Sequence, residues 1–335
     1  MTTATAQRGP GPGELLTSPD RGAWGDHVFR WVALAAALLV LAILALIAFS
    51  TTNEALPALR HAKLDFLTSD KWVPNDVDGS GPLQPAYGAL AFIFGTAVVS
   101  LIALVLAVPV SLGIALFVTE VAPRRLRGFV VTLLDLLAAV PSVVFGLWGL
   151  AVLAPNIVGL YSSIHRFVRP VPLLGTLFGP DASGRSFMTA GIILAMMVVP
   201  ITTSIMREVL LTVPRTDRDG ALALGATRWE MIRGVVLPHS VGGLVGGVML
   251  GLGRAMGETI AVALTIGASA QITGNLFKAG DAMPSVIVNQ FGEATGTFRS
   301  ALVALGVALF VLTIMINVAA RGVVSRAERR LQGGV

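Results

Sequence analysis

The sequence predicts an all-α polytopic membrane protein with six transmembrane helices. Of its 335 residues, 54% are hydrophobic and only 13% are charged, and the mean hydropathy is +0.79. A soluble domain carries nearly twice this share of charge. Six apolar runs are long enough to cross a hydrocarbon core, which needs about 20 residues. They are Trp31–Phe49, Tyr87–Phe117, Phe129–Leu153, Phe187–Ile205, His239–Ser269 and Ser300–Ala319.

The two ends of the chain are polar. Residues 1–30 are rich in Thr, Gly and Pro without apolar periodicity, and they are expected to form a disordered tail. A cleaved signal peptide is the alternative for the first apolar run, but the long polar tail and the five later runs favour a membrane helix. The predicted organisation is a first helix and loop over 31–86, a five-helix membrane domain over 87–320, and a basic tail over 321–335.

Long polar loops separate several of these runs. One is expected over 154–186 and another over 270–299, and the second contains a short amphipathic stretch, 284–291, predicted to be a surface helix. Pro141 and Pro200 lie inside predicted spans, which indicates a bundle whose neighbouring helices satisfy the freed carbonyls.

Basic residues predict the orientation of the chain. Fifteen of the 24 Lys and Arg residues fall in the two tails, the 123–128 turn and the 206–239 loop, whereas eight fall in the opposite loops. The positive-inside rule places the first group, with both termini, in the cytoplasm. The expected location is the cytoplasmic (inner) membrane.

The composition argues against several classes of function. Cysteine is absent, and the four His residues lack metal-ligand spacing, so no metal site is expected. No GxxxxGK[ST] loop occurs, so the chain has no such site for ATP. The basic residues form no block with interleaved aromatics, which argues against nucleic-acid binding. We therefore expect no enzymatic activity in this chain.

Three ionisable residues lie within predicted spans: Asp135, Arg254 and Glu258. On a continuous helix, Arg254 and Glu258 would lie one turn apart on the same face. They could be a self-neutralising structural pair, but buried charges in membrane spans are costly and favour a substrate pathway. The Arg fork suits an oxyanion. Asp135, near a span end, is a weaker pathway candidate and could pair locally.

Glycines recur every four residues before Arg254. The spacing of Gly243, Gly247 and Gly251 predicts a helix–helix interface, although a merely glycine-tolerant membrane helix is the alternative.

The 206–239 loop is polar but reads as helical. Thr216 with Asp219 and Thr227 with Glu230 each resemble a capping box, and Gly225 lies between them as a helix stop. The pattern predicts a short helix, a glycine turn and a second helix reaching Pro238. Its apolar segment, 221–224, suggests a docking surface for a partner protein.

This loop resembles the EAA loop of ATP-binding-cassette (ABC) importer permeases. That pattern is Glu-Ala-Ala, three residues, Gly, nine residues, Ile, one residue and Leu-Pro. The spacing is complete here, with mild substitutions at three positions. The matching residues, which the resemblance assigns to ATPase coupling, are Asp219, Gly220, Ala221, Gly225, Val235, Leu237 and Pro238.

Five further segments are similar to phosphate-specific permeases of the PstC type. They are YGALAFIFGT (87–96), TEVAPRRLRG (119–128), LLAAVPSVVFGLWGL (136–150), MREVLLTVP (206–214) and GRAMGETIAV (253–262). The resemblance implies a type I importer (MetI-like) fold and inorganic phosphate as substrate. It also assigns Arg254 and Glu258 to the phosphate path.

The same resemblance implies partners. They are a second permease of the PstA type, an ATPase dimer of the PstB type that binds ATP and Mg, and a phosphate-binding protein of the PstS type. No cofactor is expected in this chain itself. The alternatives are a permease for another oxyanion, such as molybdate or sulfate, and an ATPase-independent channel or secondary transporter.

Overall fold

Helices dominate the computed structural model, which describes residues 23–73, 86–180 and 183–332. The first elements are α1 (Ala23–Ala62), α2 (Asp65–Thr68), β1 (Trp72–Val73), β2 (Ala86–Tyr87) and α3 (Leu90–Leu116). Next come α4 (Arg124–Ala139), α5 (Ser142–Trp148), α6 (Ala154–Val168), α7 (Pro172–Leu177) and α8 (Phe187–Leu211). The last are α9 (Arg215–Ala223), α10 (Arg228–Met231), α11 (Leu237–Gly257), α12 (Ile260–Thr265), α13 (Met283–Gln290) and α14 (Gly296–Gln332).

Within the described ranges, six helical segments are long and apolar enough to cross a membrane, so the predicted six-span class is confirmed. They are Gly25–Arg60, Leu90–Val121, Ser142–Val168, Phe187–Leu211, Arg228–Gly257 and Gly296–Gly322. Two π-helical turns, Gly149–Leu153 and Ile232–Val236, join helices without breaking them, whereas a third, Phe117–Val121, ends the helix that begins with α3.

The chain divides after Ser50 into two units. The first unit holds the apolar start of α1, whose side chains are almost all exposed. Helix already begins at Ala23, so the predicted disorder is wrong for residues 23–30. The expectation for residues 1–22 lies outside the described part of the chain.

Helices α3, α8 and α11 form the centre of the second unit. Ala103 and Ala107 of α3 pack with Leu194 and Val198 of α8 in one buried cluster. Small residues permit this close approach: a Cβ on Gly191 of α8 would overlap the Ile102 side chain of α3.

The third span departs from expectation at Pro141. Helix α4 ends at Ala139, Val140 and Pro141 are extended, and the apolar helical segment is Ser142–Val168. Proline cannot donate a backbone hydrogen bond, so the predicted span 129–153 is interrupted rather than continuous. The polar loop predicted over 154–186 is also wrong in its first part, where α6 continues the helix.

The fifth span ends earlier than predicted. Helix α11 stops at Gly257, Glu258 is extended, and the short helix α12 follows. The predicted helix over 284–291 is present as α13, but its first turn is buried, so it is not a surface helix. The extended strands β1 and β2 pair antiparallel, with Trp72 opposite Tyr87.

Candidate functional site

Arg254 lies in the last turn of α11, where the helix dipole favours a cation. Its side chain lines a cavity of about 640 Å³ that runs along one face of α11. In the described part of the chain, Arg254 makes no hydrogen bond or ion pair, so its donors are available to a ligand. We call this space the α11 cavity. Its lining residues are Ile201, Gly242, Val245, Gly246, Met249, Leu250, Gly253, Arg254, Asn317 and Arg321.

The α11 cavity brings in two residues that the sequence interpretation missed. Asn317 and Arg321 lie four residues apart on α14 and line the same cavity as Arg254. Two arginines and an asparagine therefore line a space whose other lining residues are apolar. The signal in the sequence was weak, because Arg321 reads as the first residue of a basic tail.

Glu258 does not pair with Arg254. The helix breaks at Gly257, so the two residues do not share one continuous helical face, and they form no ion pair. Glu258 instead borders a separate small cavity with Thr96 and Ser100. Its Oε1 accepts a hydrogen bond from the Ala261 N–H at 3.4 Å, at the start of α12. The structural pair that their four-residue spacing left as an alternative is therefore not formed, and the expectation that they share one helical face is wrong.

Asp135 lies on α4 with an exposed side chain, outside the six candidate spans. The interruption at Pro141 separates it from the long apolar helix that follows. The expectation that Asp135 sits inside a transmembrane helix is thus wrong, and the structure does not bring it to Arg254 or Glu258 in a common cavity.

The three spaced glycines of α11 form the predicted helix interface, and their neighbour is α8. A Cβ on Gly243 would collide with Val209, one on Gly247 would press on Ile205, and one on Gly251 would lie 2.7 Å from the Thr202 Oγ1. This face of α11 is therefore fixed against α8, while another face lines the α11 cavity.

The 206–239 loop has the predicted helix–glycine–helix form. Gly225 has a φ of +88°, and Thr227 with Glu230 forms a complete capping box at α10. The capping box predicted at Thr216 is absent: α9 starts after Pro214, and no side chain caps it. Helix α10 runs through a π turn into α11, so Pro238 begins α11 without a break.

The residues assigned to ATPase coupling fall into two groups. Asp219, Gly225 and Pro238 are exposed, whereas Ala221, Val235 and Leu237 pack against a buried cluster beneath the loop. That cluster consists of Ala115, Met206, Leu210, Val213, Met231, Ile232 and Val236. The loop is thus anchored from below by α3 and α8.

The opposite side of the loop presents apolar side chains. Leu224 is 92% exposed and Trp229 is 62% exposed, with Leu222 also exposed beside them. An apolar patch of this kind on a helical loop is typical of a protein-binding surface. In residues 23–73, 86–180 and 183–332, no cluster of His, Cys, Asp and Glu has the make-up of a metal site.

Comparison with known proteins identifies the family of the chain. Residues 107–332 match the family described as binding-protein-dependent transport system inner membrane component. A "Phosphate transport system permease protein PstC" of Xylella fastidiosa (strain Temecula1) is 43% identical over 311 residues, covering 92% of this chain and 94% of the relative. The protein "PstC 2" of Mycobacterium tuberculosis is 42% identical over 303 residues, covering 89% and 91%.

Solved structures support the fold. A chain from the crystal structure of a bacterial alginate ABC transporter, in complex with its alginate-bound periplasmic protein, superposes with a TM-score of 0.59. The match covers 92% of this chain and 99% of that one at 17% identity, so it supports the fold alone. The predicted ABC-importer permease fold is confirmed. The chain belongs to the binding-protein-dependent transport system inner membrane components and, among them, to the family of the PstC permease proteins.

Proposed function

We propose that this chain is the membrane-spanning permease subunit of an ATP-driven importer for inorganic phosphate. The names of relatives that are 43% and 42% identical over nearly the whole chain support phosphate as the substrate. Separate ATPase subunits supply the energy, and this chain is itself non-catalytic.

The observation that carries the proposal is the α11 cavity with its two arginines. Phosphate is an anion with several acceptor oxygens, and guanidinium groups offer planar pairs of donors to such oxygens. Arg254 at one end of α11 and Arg321 on α14 give the otherwise apolar cavity positive charge and donors. Glu258, which borders a separate cavity, would act at a gate rather than as the partner of Arg254.

The α9–Gly225–α10 loop is the proposed site for the ATPase. Its exposed Leu222, Leu224 and Trp229 would enter a groove of a PstB-type subunit, which would bind ATP and Mg. Because α10 continues into α11, a displacement of the loop would move the wall of the cavity that carries Arg254.

The remaining partners follow from the same proposal. A PstA-type permease would complete the translocation path as a heterodimer, and a PstS-type binding protein would deliver phosphate from outside the cell. The excess of basic residues at the α9–α10 end supports a cytoplasmic location for that end and for both termini, and the matching family supports the inner membrane.

The test is phosphate uptake by the whole complex reconstituted in proteoliposomes. Arg254→Ala is expected to lower uptake about tenfold or more, because charge-assisted hydrogen bonds contribute about 1.5–3 kcal/mol each. The matched control is Arg60→Ala, which removes an exposed arginine outside the α11 cavity. Undiminished uptake by an assembled Arg254→Ala complex would contradict the pathway role.

Two measurements separate the alternatives. An excess of sulfate or molybdate that competes with phosphate uptake would favour another oxyanion as the substrate. Uptake by this chain without ATP and without partner subunits would favour a channel or secondary transporter.

A further inference from the structure

A buried ion pair joins α9 to the end of α3. Glu120 lies in the π turn Phe117–Val121, which ends the second span, and its side chain is only 6% exposed. Arg218 lies on α9, 98 residues later in the sequence, with a side chain that is 16% exposed. The Arg218 Nη1 is 3.0 Å from the Glu120 Oε1. The Glu120 Oε1 makes no aligned hydrogen bond, so the contact is ionic and less directional than a two-pronged pair.

The guanidinium of Arg218 also contacts α8. The Arg218 Nη2 donates a hydrogen bond of 2.6 Å to the Leu210 carbonyl in the last turn of α8. Arg218 therefore connects α9 to both α3 and α8, the two helices at the centre of the second unit.

Two further arginines hold the π turn itself. Arg127 of α4 donates from Nη2 to the Thr119 carbonyl at 2.9 Å, and Arg228 of α10 donates from Nη1 to the Glu120 carbonyl at 3.4 Å. The turn is thus tied to α4, α9 and α10 at once. Its main chain accepts hydrogen bonds from two arginines, while its acid, Glu120, contacts Arg218 of α9.

Helix α9 has little else to hold it. It contains no buried residue, and only Ala221 packs partly against the cluster beneath the loop. A short helix without a buried face depends on its few specific contacts for its orientation. The charged contact from Arg218 is therefore the strongest constraint that the structure gives on α9.

We propose that the Glu120–Arg218 pair is the mechanical link through which a displacement of α9 reaches α3 and α8. This inference rests on the proposed function, in which the ATPase docks on α9 and α10. A displacement of the α9–α10 loop can then reach the membrane helices by two routes: the covalent one through α10 into α11, and the ionic one through Arg218. Glu120 and Arg218 are positioning residues and do not touch phosphate.

The experiment uses the whole complex in proteoliposomes and measures phosphate taken up per ATP hydrolysed. Glu120→Gln and Arg218→Gln are each expected to leave basal hydrolysis in place and to lower this ratio about tenfold, within the usual range of coupling energies between sites. The double variant should be no worse than Arg218→Gln, because the ion pair is lost only once and Arg218→Gln already removes the contact with Leu210. A purely stabilising pair would change the yield of complex without changing the ratio.

The matched control is Glu208→Gln. Glu208 pairs with Arg207 at 2.6 Å at the same end of α8, but its side chain is 64% exposed. Because exposed pairs contribute little, this variant should keep the wild-type ratio. If a single variant fails to assemble because one buried charge is left alone, the double variant removes both charges and keeps the test open.

The outcomes separate the two proposals. A wild-type complex without ATP-dependent phosphate uptake would overturn the proposed function and the link with it. A functional wild type whose double variant assembles and keeps the full ratio would overturn the link alone. A tenfold loss in the double variant, with Glu208→Gln unaffected, would support it.

Discussion

Asp281 is a buried acid that lies just before α13. Its residue is 5% exposed, and its Oδ1 accepts a hydrogen bond from the Ala282 N–H at 2.9 Å. Burial raises the pKa of the Asp281 carboxyl from 3.8 to about 6, although hydrogen bonds from Ser285 and Ala282 act in the opposite direction. The folded protein therefore binds this proton more tightly than the unfolded chain does.

The sign of the pH effect follows from linkage. The contribution of Asp281 to the free energy of unfolding is fully present below a pH of about 4, and it is lost as the pH rises through about 6. This rise in the pKa lowers the free energy of unfolding by about 3 kcal/mol at neutral pH, where the buried carboxyl is ionised. Asp281→Asn, which keeps the acceptor but not the charge, should therefore raise the Tm of the purified protein at pH 7.

The gain in Tm should shrink as the pH is lowered towards 4. Thermal unfolding across this range checks the prediction, with Asp70→Asn as the control at an exposed acid. A lower Tm for Asp281→Asn at pH 7 would mean that the carboxylate is stabilising, contrary to this account.

Single residues were only partly predictable from sequence. The position of a charge inside a predicted span indicated a pathway role for Arg254, and the structure gives it a cavity. The four-residue spacing between Arg254 and Glu258 predicted a shared helical face, which is wrong because a face is shared only along an unbroken helix. Gly257 could have indicated the end of α11, since glycine commonly lies at the ends of helices. The joining of Arg321 to the cavity depends on packing between α11 and α14, which no local pattern reports.

Among the elements, the turn between α9 and α10 depends on Gly225. Its φ of +88° is unfavourable for a side-chain-bearing residue, although an added Cβ would meet no atom within 4 Å. Gly225→Val is expected to cost about 1–2 kcal/mol in backbone strain and to displace α10 relative to α9. ATP hydrolysis stimulated by the binding protein should then fall.

The co-purified ATPase and its stimulated hydrolysis rate measure this effect. Gly220→Ala is the control, because Gly220 lies within α9 in open space and alanine favours helix. Full stimulation in Gly225→Val would show that the turn geometry is not needed for coupling.

The packing of α11 on α8 gives a second prediction for elements. Gly251→Val would place a Cβ 2.7 Å from the Thr202 Oγ1 and 3.1 Å from the Val198 Cγ1. Overpacking of this kind costs about 1–3 kcal/mol, so the Tm should fall. Gly246→Ala should leave it unchanged, because no atom lies within 4 Å of its Cβ. An equal loss of stability in both variants would argue against a specific α8 contact.

Most elements with local signals are present, although the capping box expected at Thr216 is absent. The capping box of Thr227 and Glu230 and the left-handed Gly225 depend on neighbouring residues alone, and both are present. The other wrong predictions concern a proline within a predicted span and a helical segment that was predicted to be a loop. Pro141 ends a helix that hydropathy reads as continuous, and the 154–168 segment is helical although it was assigned to a loop.

At the level of the whole molecule, the orientation can be tested because the chain has no cysteine. Leu224 is 92% exposed and lies near the Leu211 end of α8, whereas Phe167 is 87% exposed on α6, which meets α8 near Thr189. These positions therefore belong to opposite ends of the bundle.

In intact cells, Phe167→Cys is expected to react with a membrane-impermeant maleimide. In cells that lack the ATPase subunit, which would otherwise cover this position, Leu224→Cys should react only in inverted vesicles or after permeabilisation. The cysteine-free parent gives the background for both. Labelling of Leu224→Cys from outside intact cells would reverse the proposed orientation.

The six-span class was predictable because hydropathy sums over many residues and tolerates local errors. The Glu120–Arg218 contact was not, because 98 residues separate its partners and neither position is unusual in its own segment. Long-range contacts of this kind depend on how α3, α8 and α9 come together, which the sequence does not state locally.

The glycine face of α11 has a mechanical consequence for α8. Because Gly243, Gly247 and Gly251 let the two helices pack in close contact, we expect α8 and α11 to tilt together as one unit. At its far end, the Phe187 and Met188 N–H groups donate to the carbonyls of Lys278 and Leu276. A displacement of Leu210 at one end of α8 would thus reach the 276–278 segment at the other end, across the full length of α8.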